Sequence, residues 1–569
     1  MQKLQPIYTE SINCQDCYKC VRQCPVKAIR ISDNKASVVD EFCIHCGHCV
    51  MSCPTGAKSV RDGVVQVKRL IEQNRRVYLS LAPSFMGEFE DASSPDFIRR
   101  LIALGFSGVS ETALGAQEVS RQVNLFLAEK SNGVYISSAC PAVVELVRKY
   151  YPEHTAAITP FMSPMLTHGK LLKEWYGDDI AVVFAGPCIA KKAEADGAPS
   201  LVDTSITFKE LRAWLEELES DFSDNSKEYS FVPFPASWGT IYPLEGGMIE
   251  SIKILNGGRV PRLMSFSGLP LVRQILGNLH TFGSEEPVFL ELLACEGGCI
   301  NGPGNESSVN IVQRRLRTEQ LRQSRKEQAL PTQNVAIERD YSIIKSIEPA
   351  FVSDEEIQEA LASIGKKTIR DELNCSGCGY DTCRDFAKAL IENKAESSMC
   401  VSYMRNVAHN KATILLQKIP SGVVIVDENL RIVEMNDSFA KMMGEEIELC
   451  FEADPGLKGM EAEKILPFVS VFKTSIHTGH EVKEMAITEN GRQFQLSIFN
   501  IQKFKLVAGI MQNLNQPQFR TDIISKRTRE VIQKNMETVQ QIAFLLGENA
   551  AYTDSLLNSI LQPKENDDE

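Results

Sequence analysis

Between residues 76 and 345 the apolar positions fall into two alternating patterns. RVYLSLAPS is an apolar run of strand length entering a Gly/Ser/Pro-type loop, whereas DFIRRLIALGF spaces its apolar residues three and four apart, as a helix face does. GVYISSACP, IAVVFAGPCIAKK and PVFLELLACEGGCINGPG repeat the first pattern, each run ending in a loop that carries cysteine. Strands alternating with helices predict an α/β domain, which places ligand chemistry at the carboxyl ends of its buried strands. From residue 412 the pattern changes. SGVVIVDENLRIVEMNDSFAKMMG holds two alternating runs around a DEN turn, followed by the polar pair Asn436-Asp437 and a helix. EVKEMAITENGRQFQLSIFNIQ and KFKLVAGIMQNL continue as meander strands, so an α+β domain is expected over 412–514. RTREVIQKNMETVQQIAFLLGENAAYTDSLLNSILQ has the spacing of a long helix, which Gly547 and Asn549 divide, and a helical tail is expected over 515–562.

Composition narrows the function classes. The 569 residues are 43% hydrophobic and 24% charged, ordinary for folded domains, and a prior of about 150 residues per domain allows about four of them. The net charge of −13 argues against nucleic acid or an anionic membrane surface as partner, because both attract a cationic face. No apolar run approaches the roughly 20 residues that span a bilayer, and MQKLQPIYTESINCQDC lacks the apolar core of a signal peptide. A cytoplasmic location is expected.

The 17 cysteines change the picture most. Sixteen of them divide into four sets of four, with Cys450 left over, and a reducing compartment makes metal clusters a better reading than disulfides. CQDCYKCVRQCP and CIHCGHCVMSCP are two copies of the bacterial dicluster ferredoxin run, in which the fourth Cys of each copy ligates the other copy's cluster. One 4Fe–4S cluster is therefore expected on Cys14, Cys17, Cys20 and Cys53, and a second on Cys43, Cys46, Cys49 and Cys24. His45 and His48 read as surface residues that tune potential at most. Such a pair is a wire, and something downstream must exchange electrons with it. Cys140, Cys188, Cys295 and Cys299 follow in three post-strand loops beside Gly or Pro, and four cysteines so placed can hold a further cubane.

SSACP, GPCIAKKAE and LACEGGCINGPG resemble the three signature loops of the [FeFe]-hydrogenase large subunit family, and the resemblance runs from residue 1 to about 305. It implies an H-cluster: a cubane on Cys140, Cys188, Cys295 and Cys299, joined through Cys299 to a di-iron unit carrying CO, CN and an azadithiolate bridge. By the same resemblance Lys191 hydrogen-bonds one cyanide and Ser84 the other. Glu194 either anchors Lys191 or caps charge. The departures from the family pattern are as informative. Where efficient members have a Cys that passes protons to the bridging amine, this chain has Ala139, and a methyl group relays no proton. Gly186, Leu293 and the run Gly302-Pro303-Gly304-Asn305 also replace family residues around the site. The acidic residues of the family's proton path have no secure counterpart upstream of Ala139, though Thr159 falls near the expected hydroxyl. Such a scaffold resembles a slow hydrogenase of the sensory type.

Beyond residue 305, IVQRRLRTEQLRQSRKEQ reads as an exposed helix and linker with a solvated charge run. NCSGCGYDTCRDFAKALIENKAESSMC resembles the four-cysteine iron–sulfur domain of corrinoid proteins and membrane electron-transfer complexes, implying one further 4Fe–4S cluster on Cys375, Cys378, Cys383 and Cys400, with structural zinc as the alternative. The segment 412–514 resembles a PAS domain. Cys450 there reads as incidental, and His477 and His480 as solvated.

The fold expected is thus multidomain α/β. It comprises a two-cluster ferredoxin domain over 1–72, an α/β hydrogenase catalytic domain over 76–345, a small four-Cys iron–sulfur domain over 353–405, a PAS α+β domain over 412–514 and a helical tail over 515–562. The expected activity is slow, reversible oxidation of H2 and reduction of protons, with electrons passing to a redox partner such as ferredoxin. Hydrogen or redox sensing would pass through the PAS domain to a downstream signalling protein, in a homodimer formed by the PAS domain and tail. Two alternatives stand beside it: a ferredoxin-linked catalytic hydrogenase within an electron-transfer assembly, and a non-catalytic iron–sulfur scaffold.

Overall fold

The structure is a computed structural model that describes residues 5–73, 75–92, 94–218, 229–256, 262–282, 286–306, 309–326, 335–342, 347, 351–489, 491–513 and 536. The chain forms two compact units, Met1–Val401 and Ser402–Glu569.

The first unit opens with a pseudo-repeat. Strand Ile7–Thr9 pairs antiparallel with Lys58–Val60, and Ile29–Ser32 with Lys35–Val38. Each cysteine run ends in one short helix, Lys19–Gln23 or His48–Ser52, and the fourth Cys of the run is that helix's C-cap. Two parallel sheets follow. Gly108–Glu111, Val77–Leu81, Ala181–Gly186 and Thr204–Thr207 lie side by side in that order, and Arg262–Ser267, Val288–Leu293 and Val134–Ile136 form the other sheet. The strand Val77–Leu81 and the strand Ala181–Gly186 are buried at every position, which is why they read as continuous apolar runs. Helices cover them through Phe97, Leu101, Phe208 and Leu211, all fully buried. Each such side chain contributes about 1.5–3 kcal/mol when removed from water.

The basic segment after residue 305 departs from expectation. Helix Ile311–Ser324 buries Arg314, Thr318 and Leu321, and Arg314 and Arg325 reach the buried carboxylates of Glu88 and Glu111. These charges are structural, because each offsets a buried acid, Glu88 in the helix Phe85–Glu88 and Glu111 in the strand Gly108–Glu111. At the end of this unit a loop holding Cys375 and Cys378 leads into helix Cys383–Ile391, capped by Thr382, and a short turn Ser397–Met399 returns the chain to Cys400.

The second unit has one antiparallel sheet, ordered Ile432–Met435, Gly422–Asp427, Leu506–Asn513, Arg492–Gln502, Val482–Glu489. Helices Asp437–Met443, Glu445–Ala453 and Val469–Thr478 fold onto it around Phe439, Phe472 and Phe494. Asn436 secures the hairpin to the first helix, its carbonyl accepting from Val423 N at 2.7 Å and Phe439 N at 3.0 Å. Cys450, His477 and His480 are exposed. Apart from Met536, the expected tail and any homodimer built on it lie outside the described residues. Among the described residues no helix is long and apolar enough to cross a membrane.

Candidate functional site

The crossed ligand sets come together in space. Cys20 lies within electrostatic reach of Cys14, Cys17 and Cys53, and Cys46 within reach of Cys24, Cys43 and Cys49. Burial pushes the Cys20 thiol up to about 11 and those of Cys43 and Cys49 up to about 12. Thiols so placed give up their protons only to a cation that takes the sulfur. Two corrections concern the histidines. His45 is buried and bonded to Asp40 at 2.8 Å, and His48 Nδ1 lies 3.6 Å from Cys46 Sγ with its pKa lowered by burial. Both belong to the surroundings of the second set, not to the surface.

Cys140, Cys188, Cys295 and Cys299 also converge. Cys295 lies within reach of the other three, and of Cys46 as well. The strands explain the convergence. Cys140 follows Val134–Ile136 and starts a helix at Pro141, Cys188 follows Ala181–Gly186, and Cys295 and Cys299 follow Val288–Leu293. The Cys188 and Cys299 loops are stitched by Gly304 N donating to Pro187 O at 2.7 Å. The dicluster domain joins at Gly47, where φ is +81° and a Cβ would stand 2.6 Å from Pro303. Only glycine lets the Cys46 loop approach so closely.

The four cysteines line a cavity of about 100 Å³ shared with Ser84, Ala139, Lys191 and Glu291. Lys191 is buried, not an exposed helix lysine. Its ammonium donates to Glu194 Oε2 at 2.7 Å and to Ser163 Oγ at 2.9 Å. Ser163, which also donates to Glu194 at 2.9 Å, was not visible in the sequence pattern. Glu194 is thus the anchor of Lys191. The next lysine, Lys192, turns away to Glu210 at 2.8 Å. Ser84 Oγ is buried without a hydrogen-bond partner. A buried hydroxyl left unpaired is costly unless something in the cavity accepts from it. Lys191 likewise keeps one of its three N–H donors beyond those two bonds. These free donors, with four convergent thiols, fit an anionic iron cofactor.

The proton side of the cavity differs. Thr159 is fully buried and its Oγ1 donates to Ser138 Oγ at 3.3 Å, beside Ala139. Ala139 itself presents only a methyl group to the cavity. Glu291, missed by sequence reasoning because it sits inside an apolar strand, is the one carboxylate among the described residues lining the cavity. Burial raises its pKa to about 7, and it accepts from Met248 N at 3.1 Å. Glu111, at the end of Gly108–Glu111, is also held near 7 by burial against the opposing pull of Arg325.

Comparison with known proteins agrees with this geometry. Residues 75–303 match the family described as iron only hydrogenase large subunit, C-terminal domain; residues 6–54 match a 4Fe-4S dicluster domain, residues 371–402 an Fe-S cluster family and residues 413–473 a PAS domain. The NADP-reducing hydrogenase subunit HndD of Solidesulfovibrio fructosivorans is 25% identical over 49% of this chain and 59% of its own length. Iron hydrogenase 1 of Clostridium pasteurianum is 24% identical over 42% of this chain and 51% of its own length. The cytosolic Fe-S cluster assembly factor NAR1 of Debaryomyces hansenii is 32% identical over 21% of this chain and 26% of its own length. The chain spans little more than half the length of the two hydrogenases it matches. It carries, in order, a 4Fe-4S dicluster domain, the C-terminal domain of an iron only hydrogenase large subunit, an Fe–S domain and a PAS domain, and it has hydrogenases among its homologues.

Proposed function

We propose that this chain is an [FeFe]-hydrogenase of low turnover that senses H2 or redox state and passes the signal through its PAS domain to another protein. The observation that carries the reading is one cavity: four convergent cysteines, the partnerless hydroxyl of Ser84 and the anchored ammonium of Lys191, with a methyl group at Ala139. In this reading Cys140, Cys188, Cys295 and Cys299 hold an H-cluster, with Cys299 as the bridging ligand. When bound, that group supplies heterolytic cleavage of H2 and its reverse.

The chain's own residues do the rest. Lys191, fixed by Glu194 and Ser163, would offer its remaining hydrogen to an anionic diatomic ligand of that group, and Ser84 Oγ would do the same for another. Ala139 neither takes nor gives a proton, so protons must travel by water or by a longer detour. Glu291, titrating near neutrality, is the side chain best able to hold one in transit. Cys295 lies within electrostatic reach of Cys46, so clusters held by these two sets would be neighbours and would give electrons a way to the dicluster domain.

The likeness to NAR1 supports a second reading, an iron–sulfur scaffold without hydrogen chemistry. The free donors of Ser84 and Lys191 weigh against it, because a cubane alone needs neither. The relatives' roles also leave room for a ferredoxin-linked catalyst in a larger assembly. Turnover of the isolated, matured chain and its Ala139→Cys variant tests the sensory reading: slow H2 uptake that the variant raises supports it, and fast uptake by the wild type overturns it.

A further inference from the structure

The module around Cys375, Cys378, Cys383 and Cys400 is docked onto the dicluster domain along two seams. At the first, Arg22 donates to Gly377 O at 3.3 Å while also holding Cys17 O at 2.9 Å, and Lys27 donates to Gly379 O at 2.7 Å. The carbonyls on both sides of Cys378 are therefore bound by cations of the dicluster domain. Gly379 has φ +93° and packs so closely on the Cys20 helix that a Cβ would stand 2.9 Å from Val21. At the second seam Ile31 N donates to Lys394 O at 2.9 Å, Asp33 N to Glu396 at 2.6 Å, and the Lys394 ammonium sits 4.0 Å over the Phe42 ring. Between the seams Tyr380 is 4% exposed, its hydroxyl without a partner. It lies within electrostatic reach of both Cys378 and Cys24. A module merely strung on the chain needs no such registration of one ligand loop against another.

We propose that the cluster on Cys375, Cys378, Cys383 and Cys400 is a side branch of the electron wire, exchanging single electrons with the cluster on Cys24, Cys43, Cys46 and Cys49 across Tyr380. This rests on the cluster assignments proposed above. In each step one reduced 4Fe–4S cluster gives up one electron and the other gains it; no bond forms or breaks. The electron comes from H2 oxidised at the cavity or, in vitro, from dithionite. The branch ends at Cys400, which directly precedes in sequence the part of the chain that carries the PAS domain. The module thereby reports the wire's reduction state.

The test uses the full chain, reconstituted anaerobically with iron and sulfide and reduced with dithionite, read by electron paramagnetic resonance and iron analysis. The expected wild-type spectrum shows spin–spin broadening and fast relaxation that Cys378→Ser partly removes, along with the iron of one cubane. The Arg22→Gln/Lys27→Gln double variant is expected to keep all its iron and lose part of the broadening. If Cys378→Ser leaves the iron content unchanged, the cluster assignment itself fails. If it removes one cubane's iron while the remaining signals keep their wild-type width and relaxation, the assignment stands and the branch is overturned.

Discussion

Lys191 meets Glu194 at 2.7 Å with the two side chains only 10% and 7% exposed, a buried ion pair at the cavity that the four cysteines line. Removing one partner strands the other charge. Glu194→Ala is expected to destabilise the first unit by about 3–5 kcal/mol, and Glu194→Gln by clearly less, because the amide still accepts from Lys191 and Ser163. Thermal and denaturant unfolding of the three proteins measures this. Equal, small losses would mean the pair is not desolvated in solution.

Ala139→Cys places a thiol where the chain has a methyl group. Positioned proton transfer contributes roughly 10²–10⁴-fold where it is fully developed. Given that Thr159 already lies beside this position, a rise in H2 uptake near the lower end of that range is expected. The assay is uptake by matured wild type and variant at equal cofactor content. An unchanged rate would place the limit elsewhere.

Glu291 gives a pH signature. Its folded pKa of about 7 lies above the ordinary 4.5, because burial penalises the charged form. The folded chain therefore holds this proton more tightly than the unfolded chain. Its stability falls as pH rises from about 4.5 to about 7, and the full cost, about 3 kcal/mol, persists above that. Glu291→Gln removes the cost, so the variant should gain on wild type through that window while its H2 chemistry slows. Parallel stability-versus-pH curves for the two proteins would refute the buried, neutral carboxyl.

Ser84→Ala separates folding from cofactor recognition. Since Ser84 Oγ makes no bond within the protein, its loss should cost little stability, or even relieve a desolvated hydroxyl. In the matured protein the same change should shift a cyanide stretching band. Unfolding curves and infrared spectra give the two readouts, and a large stability loss with unmoved bands would assign Ser84 to packing instead.

Much of this was legible from local sequence. Val77–Leu81, Ala181–Gly186 and Val288–Leu293 are mostly apolar because both faces of their sheets are covered, and the loops after the last two carry Cys188, Cys295 and Cys299. The dicluster spacing marks crossed sets whose thiols the fold brings near one another. Contacts between distant segments leave no such mark. Ser163 meets Lys191 from 28 residues away, and Arg325 meets Glu111 from 214 away. No periodicity marks such pairs. His45 read as a surface residue because nothing in CIHCGHC shows that the domain behind it closes over that loop. Arg314 looked like part of a solvated run because most of its neighbours are.

The central claim is tested most directly by the infrared spectrum of the anaerobically matured protein, first under argon and then under H2. Sharp CO and CN bands that change when H2 is admitted are the predicted result. A protein with its full complement of cubanes and no such bands would contradict the hydrogenase reading and leave an electron-transfer or assembly scaffold.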